Sequence, residues 1–351
     1  MPNKRFNSLD GMRGICALIV AVFHCDLALK TGHLLNHGYL CVDAFFILSG
    51  FVISSAYETR LAQGLTLSGF ARARAQRLIP IHWLGTAAVA GVTLGAYFAG
   101  WLDLPQFTAS ALLSATALGF LLIPDLAAPI DAAFPINTVL WSLFDEWIVN
   151  LGYAKWLFRA SVPMLTLLAC SAWAIVCVFA YHNPYALCIG MRNSDLLPGL
   201  LRAIAGFVSG VIIFRLHAAG SLLKLPSIRP EIIYSLCFLV SAVPTARIIP
   251  TFDIIAVSLM PLAIALLVRT ERPTPRIFLW LGFISYPLYV CQLASVMLAM
   301  ALLDKSPRHD ALLAIPILAG AIALAWGIAW LNAAGFSSRK TIRELAVPDV
   351  S

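Results

Sequence analysis

With 351 residues, 60% of them hydrophobic and only 12% charged, the chain is too apolar for an ordinary water-soluble domain, in which about a quarter of residues carry charge. A formal net charge of +7 would suggest a nucleic-acid partner in a soluble protein, but here Lys and Arg fall in short stretches between apolar runs, where the preference for basic cytoplasmic loops accounts for them. Composition therefore predicts a polytopic membrane protein, partnered by the lipid bilayer and not by nucleic acid.

The N-terminus has a basic start, Lys4 and Arg5, before an apolar core, as a signal peptide does. No small-x-small cleavage site follows and a second apolar run comes next, so a retained first helix is predicted. That helix carries Asp10, Arg13 and His24, and ionisable groups inside a membrane span are functional-site candidates because each must find a partner or a wet cavity. Arg13 and His24 are spaced by three turns plus roughly 20°, which puts them on one stripe roughly 16 Å apart. Ala17 and Ala21 lie between them on that stripe. The resulting groove could hold a long, narrow, anionic ligand; alternatively its small residues only allow close helix packing.

Apolar runs of about 20 residues occur near 10–29, 39–58, 80–100, 138–157, 163–181, 199–217, 231–249, 252–269, 277–303 and 311–333. A shorter run, 108–123, has Asp103, Asp125 and Asp131 around it and no Lys or Arg nearby. If 108–123 does not cross, Arg60, Arg72, Arg74 and Arg77, then Lys155 and Arg159, then Arg215, Lys224 and Arg229, then Arg269, Arg272 and Arg276, and finally Arg339, Lys340 and Arg343 all face the cytoplasm. The expected fold is all-α: a bundle of about ten transmembrane helices with both termini cytoplasmic and a re-entrant or interfacial helix at 108–123. Residues 1–335 form a single membrane domain and 336–351 a short cytoplasmic tail, with no separate soluble catalytic module. No internal repeat of the kind that marks many transporters is evident.

This topology predicts that His24, Asp43 and Glu146 converge near the outer boundary. An imidazole oriented by a carboxylate is the minimal general-base unit and suits proton removal from a hydroxyl; Asp43 as an N-cap and Glu146 paired with a loop cation are the structural alternatives. Ser142, Glu146, Asn150 and Tyr153 form one polar stripe on the 138–157 segment, and Ser49-Gly50 offers a point of close backbone approach on the second. On the inner side Arg72, Arg74 and Arg77, just before Leu78-Ile79-Pro80, form a basic lip near the Arg13 end of the first helix. Guanidinium clusters suit phosphate, although anionic lipid headgroups or topology alone also explain them. A thioester donor with phosphates at one end and an acyl group at the other would fit between that lip and His24. The eight cysteines include no C-x-x-C pair and read as small hydrophobes. A Cys25–Cys41 disulfide is conceivable in an oxidising compartment; no metal site is predicted.

These residues bring the chain close to a known family. Leu9-Asp10-Gly11-Met12-Arg13-Gly14 with His24, Gly38-Tyr39-Leu40-Cys41-Val42-Asp43 continuing through Phe45, Phe46, Ser49 and Gly50, Arg74-Ala-Gln-Arg77 with Pro80, Trp141-Ser142-Leu143 with Glu146, and Leu281-Gly282 with Ser285-Tyr286-Pro287-Leu288-Tyr289 occur in register. In them the chain resembles the membrane-bound acyltransferase 3 family. The resemblance implies an acyl-CoA co-substrate, usually acetyl-CoA, used from the cytoplasmic side of a bacterial inner membrane, and a hydroxyl of an extracytoplasmic or lipid-linked carbohydrate as acceptor, with polysaccharide assembly proteins as conceivable partners. It implies His24 as catalytic base, Glu146 and Asp43 assisting, and Arg13, Arg74 and Arg77 on the donor. Asp10, Ser49, Trp141, Ser142 and Tyr286 would position substrate. Two departures stand out: Gln292 occupies a place where family members often have His, and Val149 and Asn150 replace aromatics that commonly follow the glutamate. The competing readings are a polysaccharide or small-molecule transporter and a structural membrane subunit.

Overall fold

The computed structural model describes residues 6–32, 34–244, 250–272, 274–303 and 310–336; the predicted basic tail, with Arg339, Lys340 and Arg343, lies outside the described residues. The described chain is all-helical, with eleven α-helices: α1 Asn7–Leu29, α2 Cys41–Ala62, α3 Leu67–Phe98, α4 Ala109–Leu121, α5 Leu140–Lys155, α6 Val162–His182, α7 Leu196–Ala218, α8 Pro230–Ser241, α9 Pro250–Arg269, α10 Arg276–Leu302 and α11 Ala314–Phe336. Eight of the helical stretches are long and apolar enough to cross a membrane, which makes this a polytopic membrane bundle. Each long run read from the sequence contains a helix, but not each is a full span. Helix α5 has 16 residues and α8 has 12, short of the roughly 20 that a bilayer core requires; residues 245–249 of the predicted 231–249 run lie outside the described residues.

One boundary differs from the sequence reading for a clear reason. The third apolar run was read from residue 80, just past the arginine-rich stretch. The start is instead set upstream at Leu67, where the Thr66 hydroxyl accepts a hydrogen bond from the Gly69 N–H at 3.1 Å, and α3 continues through Pro80. Arg74 and Arg77 therefore stand on a helix face and not in a loop. The 108–123 run forms α4, which buries Leu112, Ala115 and Gly119. Its far end is tied to α3 by the Phe120 carbonyl, 3.2 Å from the His82 Nε2 and 3.1 Å from the Trp83 Nε1.

Lipid tails are as apolar as the side chains, so helices in a bilayer associate through close packing and polar contacts. Two parallel pairs supply both. Helix α2 runs beside α7, where a side chain on Gly50 would strike the Phe207 carbonyl and one on Gly210 the Ile47 carbonyl. Helix α1 runs beside α10, where Gly14 lies against Leu281 and Gly282, and Gly282 in turn against the Asp10 carbonyl. Replacing Gly50 by Ala should therefore cost about 1–3 kcal/mol, the usual range for overpacking a filled interface. Gly91→Ala, at a position with open space around it, should leave the thermal midpoint in detergent unchanged.

Candidate active site

The two ends of α1 define two separate polar clusters, and α5 reaches both because it starts inside the bundle. Asn137 donates its Nδ2 hydrogen to the Val290 carbonyl of α10 at 2.9 Å, and Phe134, Ile136 and Val139 are buried around it. The segment ahead of α5 is thus drawn inward. Thr138, Val139 and Trp141 become one wall of a cavity of about 160 Å³ whose other walls include His24, Phe23, Tyr39, Arg202 and Tyr289. Its lining is largely apolar, with Phe23, Tyr39, Trp141 and Tyr289 among it, and His24 supplies its one imidazole.

At this histidine end, Ser142 donates to the Val139 carbonyl at 3.0 Å. Its single hydrogen is then spent, so Tyr289 donates to Ser142 Oγ at 2.6 Å. The expected convergence of His24, Asp43 and Glu146 is not found. Both oxygens of Asp43 accept from Arg202, Nε at 2.8 Å and Nη2 at 2.6 Å, so Asp43 is engaged by a guanidinium and not by the His24 imidazole. Arg202 spends its other hydrogens on the Tyr39, Leu187 and Ile189 carbonyls at 3.0, 2.8 and 3.3 Å. A second buried cluster adjoins it: Asp253 faces His37 Nδ1 at 2.9 Å and accepts from the Tyr39 hydroxyl at 2.7 Å. Cys188, half-buried on the cavity wall, has its thiol pushed up to about 11 by loss of hydration, so it stays protonated near neutrality and is a poor nucleophile.

Glu146 belongs to the other end. Its Oε1 accepts from Ser49 Oγ at 2.6 Å and from Arg74 Nη2 at 3.1 Å. Counting turns from an assumed membrane boundary had placed it near the outer rim; because α5 begins within the bundle, Glu146 lies deeper. Arg13 stands here with Asp10, 3.9 Å away, within electrostatic range of Arg77, Arg74 and Glu146. Tyr286, whose hydroxyl donates to the Leu78 carbonyl at 3.1 Å, feels the same charges. Arg74 is 5% exposed, and its buried Nε has no partner among the described residues.

Between the two ends the Ala17–Ala21 stripe is not an open groove. Both alanines are buried against Leu288 and Cys291 of α10 and Ala321, Ala325 and Ile328 of α11. The cavity at His24 does not include Arg13, Arg74 or Arg77 in its walls. Close helix packing, the alternative weighed from the sequence, describes this stretch. Cys25 and Cys41 are both free; Cys41 lies by Cys16 instead. Among the described residues no group of His, Cys, Asp and Glu could hold a metal ion.

Three residues central to this arrangement, Arg202, His37 and Asp253, were not singled out from the sequence. Arg202 was the one that could have been found: it is an arginine within an apolar run, and a buried Asp43 requires a counter-ion.

Fold and site together define a polytopic membrane protein with a histidine-bearing cavity toward one face and an arginine cluster toward the other. The sequence profile described as "Acyltransferase domain" matches residues 6–330, and the chain belongs to that family of membrane acyltransferases. Among curated relatives, it is 35% identical to "Protein 2 in picA locus" of Rhizobium radiobacter over 51% of this chain and 96% of that one. It is 26% identical to "Acyltransferase MdmB" of Streptomyces mycarofaciens over 74% of this chain and 69% of that one. It is 30% identical to "Exopolysaccharide production protein ExoZ" of Rhizobium meliloti (strain 1021) over 39% of each. A short match, 34% identical over 22% of this chain and 12% of the relative, reaches "Peptidoglycan O-acetyltransferase OatA" of Listeria monocytogenes. No solved structure matches.

Removing one member of a buried ion pair leaves the other charge uncompensated, at about 3–5 kcal/mol. Arg202→Leu and Asp43→Leu should each lower thermal stability in detergent by that order. The double variant should lose less than the two single losses combined, as a double-mutant cycle will measure.

Proposed function

We propose that this acyltransferase moves an acetyl group from cytoplasmic acetyl-CoA to a hydroxyl of an extracytoplasmic or lipid-linked carbohydrate, with His24 as general base. The observation that carries the reading is that Arg13, one of the clustered guanidinium groups, and His24, an imidazole on the wall of a largely apolar cavity, stand eleven residues apart on a single helix, α1. Arg13, Arg74 and Arg77 suit the phosphates of a coenzyme A: guanidinium groups bind phosphate in bidentate fashion, and Arg74 has a buried N–H to spare. Glu146 and Asp10 keep that cluster from being an unpaired triple charge before the donor arrives.

At the far end the cavity suits a sugar. Trp141, Tyr39, Phe23 and Tyr289 offer apolar ring surface to the C–H face of a pyranose, and two relatives are named for exopolysaccharide production and peptidoglycan O-acetylation. In the reaction His24 takes the proton of the acceptor hydroxyl while its oxygen forms a bond to the thioester carbonyl carbon. The carbon–sulfur bond then breaks, and coenzyme A leaves as a thiol once protonated. The donor's acyl arm must part the packing of Ala17 and Ala21 against Leu288 and Cys291 to bring the carbonyl to His24.

This assignment places the arginine end and both chain termini on the cytoplasmic side of a bacterial inner membrane, in keeping with basic loops that stay inside. Asp43, by contrast, acts on the cavity only through Arg202, and Ser142 through Tyr289. Family membership favours acyl transfer over the transport and structural-subunit readings.

Loss of a general base costs typically 10²–10⁴-fold in rate. His24→Ala in membranes supplied with acetyl-labelled acetyl-CoA should lose alkali-labile label in glycan to that degree while keeping its thermal midpoint; wild-type incorporation would refute the base. Arg74→Ala and Arg77→Ala should each raise the acetyl-CoA concentration for half-maximal rate by roughly 10- to 100-fold, the worth of a charge-assisted hydrogen bond. An unchanged donor requirement would remove the phosphate site from the arginine cluster.

A further inference from the structure

A general base must present a lone pair in a fixed direction, and a histidine does so only when something decides which ring nitrogen carries the hydrogen. No carboxylate is among the groups acting on the His24 ring, and four of the acidic side chains in the bundle are engaged elsewhere. Asp43 is held by Arg202, Asp253 by His37 and Tyr39, Glu146 by Ser49 and Arg74, and Asp26 by Thr31 and the Gly32 N–H.

The register of α1 against α10 brings a different group to the ring. Gly14 meets Gly282 where the two helices are closest; ten residues further along both helices, about 15 Å in a parallel pair, come His24 and Gln292. Their side chains lie next to one another. Gln292 is only 1% exposed, and its Nε2 donates to the Tyr289 carbonyl at 3.1 Å. Its Oε1 is a buried acceptor with no hydrogen-bond partner among the described residues, and Nδ1 of His24 is likewise buried and unpartnered. The ring's other polar neighbour is the Val20 carbonyl, about one turn back on α1.

We infer that Gln292 is the positioning residue of the His24 base, orienting the imidazole and fixing its tautomer through a neutral carboxamide in place of a carboxylate. The carboxamide can neither accept the proton nor stabilise an imidazolium by charge. It sets direction alone, and Tyr289, tied to the same residue and to Ser142, fixes the adjoining cavity wall.

The inference rests on the reading of His24 as base, and the test separates the two. Transfer of alkali-labile label from acetyl-CoA to glycan is measured in membranes bearing the wild type, His24→Ala, Gln292→Leu, Gln292→Asn and Gln292→His. Gln292→Leu should lower the maximal rate about tenfold, the worth of one neutral hydrogen bond near the upper end of its range, without changing the acetyl-CoA concentration for half-maximal rate. Gln292→Asn, one methylene too short, should behave alike and carries the comparison if the leucine variant is not inserted. Gln292→His, which restores a hydrogen-bonding atom at similar reach, should recover most of the rate. An unchanged rate in Gln292→Leu or Gln292→Asn beside an inactive His24→Ala overturns the positioning role and leaves the base standing, as does a loss that Gln292→His fails to recover. Full activity in His24→Ala overturns both.

Discussion

Asp43 and Arg202 carry opposite charges into the interior of a membrane bundle, where each alone would be prohibitively costly. They meet through two hydrogen bonds, and the arginine's remaining hydrogens reach three backbone carbonyls. Those carbonyls lie in the turn leading into α2 and in the segment between α6 and α7, so one guanidinium fastens two helices and a loop. At the other end of the same pair Arg215 bonds Glu58 at 3.1 Å and the carbonyls of Phe158 and Ala160. Charge at both ends and glycine in the middle hold α2 against α7 without help from the hydrophobic effect, which is weak between helices in lipid.

The cavity follows from that clamp. Tyr39 and Arg202 are two of its walls, and the carbonyls of Leu187 and Ile189 are placed by Arg202 itself. The opposite walls come from α1, α5 and α10, whose positions depend on the Gly14–Gly282 contact and on Asn137 holding the entrance to α5 inside the bundle. Helix α1 is the rigid member that joins the two chemical ends. A straight helix fixes the separation of Arg13 and His24 at roughly 16 Å. Between those ends lies the packed alanine seam, which closes the cavity at His24 off from the arginine cluster.

Much of this was written in the sequence. The apolar runs marked the helices, and three members of the polar stripe on α5 find polar partners: Ser142 meets Tyr289, Glu146 meets Arg74, and Tyr153 donates to Glu58 at 2.9 Å, while Asn150 is buried with no hydrogen-bond partner among the described residues. The arginines of the RxxR stretch and Arg13 do gather at one end. What failed was depth. Glu146 was assigned to the histidine because α5 was assumed to start at a membrane boundary, and a hydrophobicity pattern carries no record of an entrance drawn inward by one asparagine.

By itself, then, the amino-acid order determined that the chain is a helical membrane bundle with Arg13 and His24 on one face of one helix, because helical period and apolar length are local properties. Which carboxylate serves which cation was settled only by tertiary packing. Asp43 goes to Arg202 and Glu146 to Arg74, and the register of α1 on α10 sets Gln292 beside His24, since such neighbours depend on the mutual register of helices far apart in the chain, and no local rule of spacing reports that register.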